Sequence, residues 1–194
     1  MAKIETNASA KKFIKPDYIV ATVYNSGDTD GTPTGDAYVL EDVVEDTTSI
    51  SQDDNETTDI ECETSDSPIV SVVKLGKWQV AAEIGDTQAA LLQGLCGFVN
   101  DETGKKVYAP SSYKKKYVKF DIVFTNEDGT TYSAYVVPKL QLNSKLTIES
   151  LNTNLGRIAL AGTAQNVKIT VGDKDYMVPF YVDLNYTLPT SETA

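Results

Sequence analysis

The sequence predicts an all-β domain, a sandwich or partly open barrel, with one flanking helix. Three observations carry this. Apolar and polar residues alternate in run after run, which is the period of a strand that buries one face. Gly, Asn and Asp recur at short spacing between those runs, as they do in sandwiches and barrels. A helical stripe occurs in one segment only.

Taken in order, residues 1–15 are rich in Lys, Ala and Ser and read as an N-terminal arm. Residues 18–24 (YIVATVY) form the first β-type run, and residues 25–36 (NSGDTDGTPTGD) a long loop of the kind that often touches partners. Residues 37–51 and 56–64 read as two strands around a turn at Gln52-Asp53-Asp54-Asn55. In the second strand Asp59, Glu61 and Glu63 alternate with Thr58, Ile60 and Cys62. One face is therefore expected on a core, and the other displays a row of carboxylates.

Residues 69–75 and 78–84 are expected to pair through a turn at Gly76-Lys77. The helix follows, at about residues 87–99. Asp86 suits its N-cap, and Leu91, Leu92, Leu95, Cys96 and Val99 form one apolar stripe, expected to cover an open face or edge of a sheet. Residues 117–125 alternate through Val118, Phe120, Ile122 and Phe124, turn at Asn126-Glu127-Asp128-Gly129 and return through 131–137 as a hairpin. Residues 140–148 and 157–161 are further strands. Val167, Ile169 and Val171 alternate, turn at Gly172-Asp173-Lys174, and continue through Tyr176, Val178, Phe180, Val182 and Leu184. This gives about ten strands, with residues 16–186 as a single domain and 187–194 as a flexible polar tail.

Composition narrows the function. The net charge is −11, and eleven of the 28 acids lie between Glu41 and Asp66, a stretch without Lys or Arg. The remaining 17 acids match the 17 Lys and Arg. Such a chain is not expected to bind nucleic acid by neutralising phosphates, which takes clustered Lys and Arg. Lys3, Lys11 and Lys12 precede no apolar signal core, and no run approaches the ~20 apolar residues of a membrane helix. Folding in a cytosol without a membrane anchor is expected. Cys62 and Cys96 read as free buried thiols.

No arrangement for catalysis stands out, and neither an enzyme nor a cofactor is expected. Histidine, the commonest general base and transition-metal ligand, is absent. Gly76-Lys77 and Gly104-Lys105-Lys106 lack the glycine-rich run of a phosphate loop. Paired carboxylates can serve a glycosidase, but the segment from Glu41 to Asp66 holds no aromatic residue for sugar. Asp28-x-Asp30-Gly31 is a fragment of a calcium loop without the rest of an EF-hand, so a calcium ion near Asp28 and Asp30 stays open at this point. Lys114, Lys115 and Lys116 read as a solvated strand entrance or as a subunit contact for a neighbour's acidic segment, ahead of a nucleic-acid contact.

The order of features is familiar. An early strand leads to Val44 through Gln52 and an acidic turn. A second strand leads to Asp66-Ser67-Pro68-Ile69, then Leu75-Gly76-Lys77-Trp78, then Ile84-Gly85-Asp86, which opens the helix ending near Gly97. Over roughly residues 38–186 this resembles the major tail tube proteins of long-tailed bacteriophages and, more distantly, the tube proteins of contractile injection systems. The resemblance implies a structural virion protein of the phage tail, made and assembled in the host cytoplasm. Such small β-sandwiches form hexameric rings that stack head to tail around a channel. Their arm and long loops bind the next ring, and DNA transits without specific binding during genome ejection. The implied partners are other copies of the chain and other tail proteins: terminator or connector, tape measure, and baseplate or tip.

Carboxylates on a channel wall would repel phosphates in a field concentrated by the low-dielectric wall. Glu45, Asp53, Asp54, Asp59, Glu61 and Glu63 are accordingly candidate lumen-facing acids. The alternative is a solvated outer face that keeps subunits soluble. Candidate inter-subunit contacts are Lys114, Lys115, Lys116, Asp28 and Asp30. The competing function is a discrete β-sandwich binding module, a virion decoration or a carbohydrate- or receptor-binding adhesin, with Tyr24, Tyr38, Tyr108 and Tyr113 as its aromatics. A secreted enzyme is disfavoured by the missing signal sequence and histidine.

Overall fold

The computed structural model describes residues 15–62, 65–85, 87–101, 103, 105–112, 116–147 and 156–189, with 59–62 and 65–70 described in backbone only. Among the described residues the chain is all-β with one flanking helix. Nine strands form one hydrogen-bonded sheet that does not close into a barrel. Its first half runs β2 (Ala37–Leu40), β1 (Tyr18–Val23), β9 (Lys116–Thr125), β10 (Tyr132–Leu142) and β15 (Tyr181–Tyr186). Its second half continues from the far end of β10 through β12 (Arg157–Ala164) and β6 (Trp78–Ile84) to β3 (Ser49–Gln52). The strand β11 (Lys145–Thr147) follows β10 along β12 in the same register, with the Asn143 N–H on the Ala161 carbonyl between them.

The two halves enclose the main core. Val118, Phe120 and Ile122 of β9 alternate inward against Val80, Ala82 and Ile84 of β6 and Ile158 and Leu160 of β12. The 117–125 alternation foretells this face, and the hairpin turns at Gly129 as expected. A smaller cluster of Val20, Val123, Ala134, Val136 and Tyr186 occupies the outer face of the first half.

Residues 37–51 are not one strand. The chain leaves the first half at Leu40 and re-enters in the second at Ser49. The crossing carries Asp46 at φ 60° and is tied by the Thr47 hydroxyl, which donates to the Val44 carbonyl (2.7 Å) and accepts from the Glu83 N–H (3.0 Å).

The expected turns at 52–55 and at Gly76-Lys77 are likewise absent. Both segments face each other across a kink in one long ribbon. β3 continues into β4 (Glu56–Cys62), and β5 (Ser65–Lys74) continues into β6. Gln52 pairs with Trp78, the Asp53 N–H bonds the Lys77 carbonyl (2.9 Å), and Glu56 pairs with Lys74, all in one register. β5 therefore pairs with β4, and not with β6 as the sequence suggested. Gly76 is required at the kink, because a Cβ there would stand 1.8 Å from the Asp53 carbonyl oxygen. The distal half, β4–β5, lies outside the nine-stranded sheet and extends about 30 Å at strand rise.

The helix α1 (Ala89–Cys96) is shorter than the predicted 87–99. Gln88 precedes it without a side-chain cap, and Asp86 lies outside the described residues. Gly97 adopts the left-handed conformation (φ 74°), and the Phe98 N–H closes on the Leu92 carbonyl (3.1 Å), which ends the helix. Val99 thus leaves the stripe and stands exposed in β7 (Val99–Asn100), paired with β8 (Val107–Tyr108). Leu91, Leu95 and Cys96 cap one end of the core. The last pair, β13 (Val167–Val171) and β14 (Lys174–Val178), turns at Gly172 as predicted but forms a separate two-stranded sheet.

Replacing Gly76 by Ala should force the kink open at a local cost of about 1–3 kcal/mol. Hydrogen exchange should then show faster amides throughout β4–β5 and unchanged protection in β9 and β10. Equal loss in all four strands would show that the ribbon and the sandwich open together.

Candidate functional site

The ribbon gathers some of the candidate lumen acids and leaves others out. Asp53 and Asp54 sit exposed at the kink, where the Gln79 side-chain amide donates to Asp53 (2.9 Å). Glu56 opens β4 and pairs with Lys74 across the ribbon (2.9 Å), which holds its carboxyl below the usual range. Asp59 and Glu61 follow along β4, with Asp59 in register with Ser71. Glu63 lies outside the described residues. Glu45 belongs to the crossing segment instead, hydrogen-bonded to Lys15 (2.7 Å), and that contact lowers its pKa.

Of the β4 face expected on a core, Thr58 is exposed, and the side chains of Ile60 and Cys62 lie outside the described ones. The other described β4 side chains, Glu56 and Thr57, are exposed too. So are Val72 (51 %) and Val73 (56 %) on β5, and Leu75 (70 %) just beyond it. The signal was present in the sequence: Ile69-Val70-Ser71-Val72-Val73 is apolar without the two-residue period, so neither face of that strand reads as the solvent side.

Asp28, Asp30 and Lys116, the candidate inter-subunit residues among those described, each bond within the chain. Asp28 folds its own loop, accepting from the Asn25 N–H (2.7 Å), the Thr34 N–H (2.9 Å) and the Thr34 hydroxyl (2.6 Å). The Thr34 bonds chiefly hold its carboxyl below the ordinary value. Asp30 pairs with Lys139, whose ammonium also lies over the rings of Tyr24 (5.5 Å) and Tyr117 (5.2 Å). The two carboxylates thus serve separate partners, and the calcium-loop fragment is occupied by hydrogen-bond donors. Lys116 donates to the Gln93 (2.7 Å) and Gly94 (2.6 Å) carbonyls at the end of α1, where burial lowers its pKa. This is the favoured place for a cation on a helix. Lys114 and Lys115 lie outside the described residues.

Three further features were not anticipated. A groove of about 420 Å³ opens at one end of the sandwich, lined by Ile50, Trp78, Ile122, Phe124, Tyr135 and Phe180. Trp78 meets Phe180 edge-on at 4.8 Å. A second ribbon, β7–β8, exposes the cross-strand pair Val99 (55 %) and Tyr108 (53 %) beside Lys105 and Lys106.

The third feature is a buried carboxylate. Asp121 on β9 is 1 % exposed, and its Oδ2 accepts from Tyr186 (2.7 Å) and Lys119 (2.9 Å). Its Oδ1 has no hydrogen-bond partner among the described residues. Burial raises its pKa, Lys119 and Tyr186 oppose the rise, and Asp183 adds to it. Tyr186 and Tyr181 are both pushed upward, chiefly by burial and then by Asp121.

Of the four tyrosines proposed for a binding module, Tyr113 is outside the described residues. Tyr24 is held by the Pro138 carbonyl and the Gly31 N–H (both 2.8 Å), and Tyr38 lies against Gly94 of the helix. Tyr108 is exposed. Cys96 is a free buried thiol whose pKa burial raises, while Cys62 lies in the part of the ribbon described by its backbone. Among the described residues no group of three His, Cys, Asp or Glu is placed to hold a metal ion, and no helix is long and apolar enough to cross a membrane. No protein-family model matches the chain, and no curated protein matches it.

Two predictions follow from these placements. Lys116→Ala should cost the isolated chain about 1 kcal/mol in denaturant unfolding, by uncovering the helix carbonyls. A role confined to subunit contacts would leave the monomer unchanged. The raised pKa of Asp121 means that the folded state holds its proton where the unfolded chain has released it. Its contribution to stability is therefore present in acid and is lost as pH rises from the ordinary carboxylate range through the raised value. Asp121→Asn should remove that fall, so the stability of the variant relative to the parent rises across the same window. Parallel pH profiles in urea would disprove the assignment.

Proposed function

We propose that this chain is a structural subunit of a bacteriophage tail tube, assembling in stacked rings around a channel that DNA traverses. The β4–β5 ribbon carries the reading. It leaves the sandwich, pairs with no other strand among the described residues, and exposes Val72, Val73 and Leu75. An apolar surface of this kind marks an interaction site. The sheet is also open, with β2 and β3 as terminal strands and β15 paired to β10 alone. Open edges are templates for another chain, and a ring of copies would use them. The net charge of −11, with Asp53 and Asp54 exposed at the root of the ribbon, suits a channel that passes DNA without holding it.

The second reading, a discrete binding module, is favoured by the aromatic groove around Trp78 and Phe180. Negative-stain microscopy over a concentration series separates the two. The tail reading expects rings or tubes with a central hole of about 40 Å, room for a duplex and its water. Monomers at every concentration that bind a glycan would establish the module instead.

A further inference from the structure

The aromatic groove at the end of the sandwich opens beside the first described residues of the chain. Pro16 lines it together with Thr48, Ile50, Trp78, Phe124 and Phe180. A second depression of about 380 Å³ adjoins it. The two share Pro16 and Thr48, and the second continues past Lys15, Val43, Val44 and Glu45.

The local chain geometry aims the preceding residue at this groove. Lys15 stands before a proline, a position that favours extended backbone. Side chains alternate along an extended chain. Lys15 reaches Glu45 on the crossing segment (2.7 Å), whereas Pro16 lines the groove. Ile14 therefore falls on the side of Pro16, about 7 Å further along.

Charge favours the same placement. Residues 1–15 hold four lysines and one acid, Glu5. The crossing segment, residues 41–48, holds Glu41, Asp42, Glu45 and Asp46, all exposed, and no Lys or Arg. The Lys15–Glu45 pair already joins the two segments. The junction of the two depressions also contains the Thr48 hydroxyl oxygen, buried without a hydrogen-bond partner among the described residues. A main chain laid beside it carries both donors and acceptors.

We propose that the groove is the seat of this chain's own Ile14, packed among Ile50, Phe124 and Trp78, with Lys11 and Lys12 held over the acids of the crossing segment. Burial of apolar surface drives the contact. Ile14 is two residues from Pro16, so tethering gives it an effective concentration that a free ligand does not match. A groove filled in this way is closed to the glycan of the second reading. The contact lies within one chain and needs no other copy, so it stands or falls independently of the tail-tube reading.

Trp78 is the only tryptophan in the chain and lines the groove, so its fluorescence reports the occupant. The test compares emission and acrylamide quenching of the full chain with those of Ile14→Asp, Ile14→Leu and Ile4→Asp over a dilution series. The parent should show a shielded Trp78 to the same degree at every concentration. Ile14→Asp should shift its emission to the red and lose the shielding. Ile14→Leu should keep it, and so should Ile4→Asp, which makes the same chemical change ten residues away. Unchanged circular dichroism should accompany all three, because none of the substitutions lies in the sandwich. The proposal is overturned if Ile14→Asp leaves Trp78 as shielded as in the parent, or if Ile4→Asp exposes it equally. It is also overturned if the parent loses shielding on dilution, which would assign the groove to the arm of another copy.

Discussion

The architecture depends on β10 serving two layers at once. Along one edge it pairs with β9 throughout, and along the other with β15 and then β12. A straight strand would keep those partners in one plane. The register slips between Val137 and Leu140, so that Pro138 and Lys139 oppose Lys119 alone. A bulge of this kind bends a strand and sharpens its twist. Proline is tolerated there because it has no N–H to give the ladder. The displaced carbonyls are satisfied nonetheless: Pro138 accepts from the Tyr24 hydroxyl and Lys139 from the Gln165 N–H, both at 2.8 Å. The Lys139 side chain then clamps the loop of Asp30 over two tyrosine rings. The bend, the loop and the second layer form one mechanical unit.

That bend marks what the sequence did and did not reveal. The alternation through Val118, Phe120, Ile122 and Phe124 was legible because one face of β9 meets the core continuously. The 131–137 and 140–148 runs looked like two strands because Pro138 reads locally as a break, and only a partner across the bulge makes it an interior residue. The same error, reversed, affected the ribbon. Asp53-Asp54-Asn55 and Gly76-Lys77 have turn chemistry, but each is one side of a kink whose other side is more than twenty residues away. Local composition cannot tell a turn from a kink when the deciding bonds are long-range.

The candidate site was legible in its charge and not in its pairing. The acidic stretch exists, but it is divided between the crossing segment, where Lys15 takes Glu45, and the ribbon. Lys116 was read as surface charge, yet the unfilled carbonyls of α1 claim it. Asp121 stood in an alternating strand at a polar position and gave no hint of burial, because its cover comes from Tyr186, sixty-five residues on. Charge counts survive folding, whereas the identity of a charge's partner is decided by which elements meet.

The ribbon's common register has one more consequence. Its inner half is fixed by Ile50, Val80 and Ala82, which a one-residue slip would turn out of the core. The outer half continues that register from Glu56 to Ile60 with its described side chains in solvent. Its alignment is therefore inherited and does not have to be encoded by its own residues. Register makes no demand on the side chains of the outer half, so an exchange there alters the surface the ribbon presents and leaves its alignment in place.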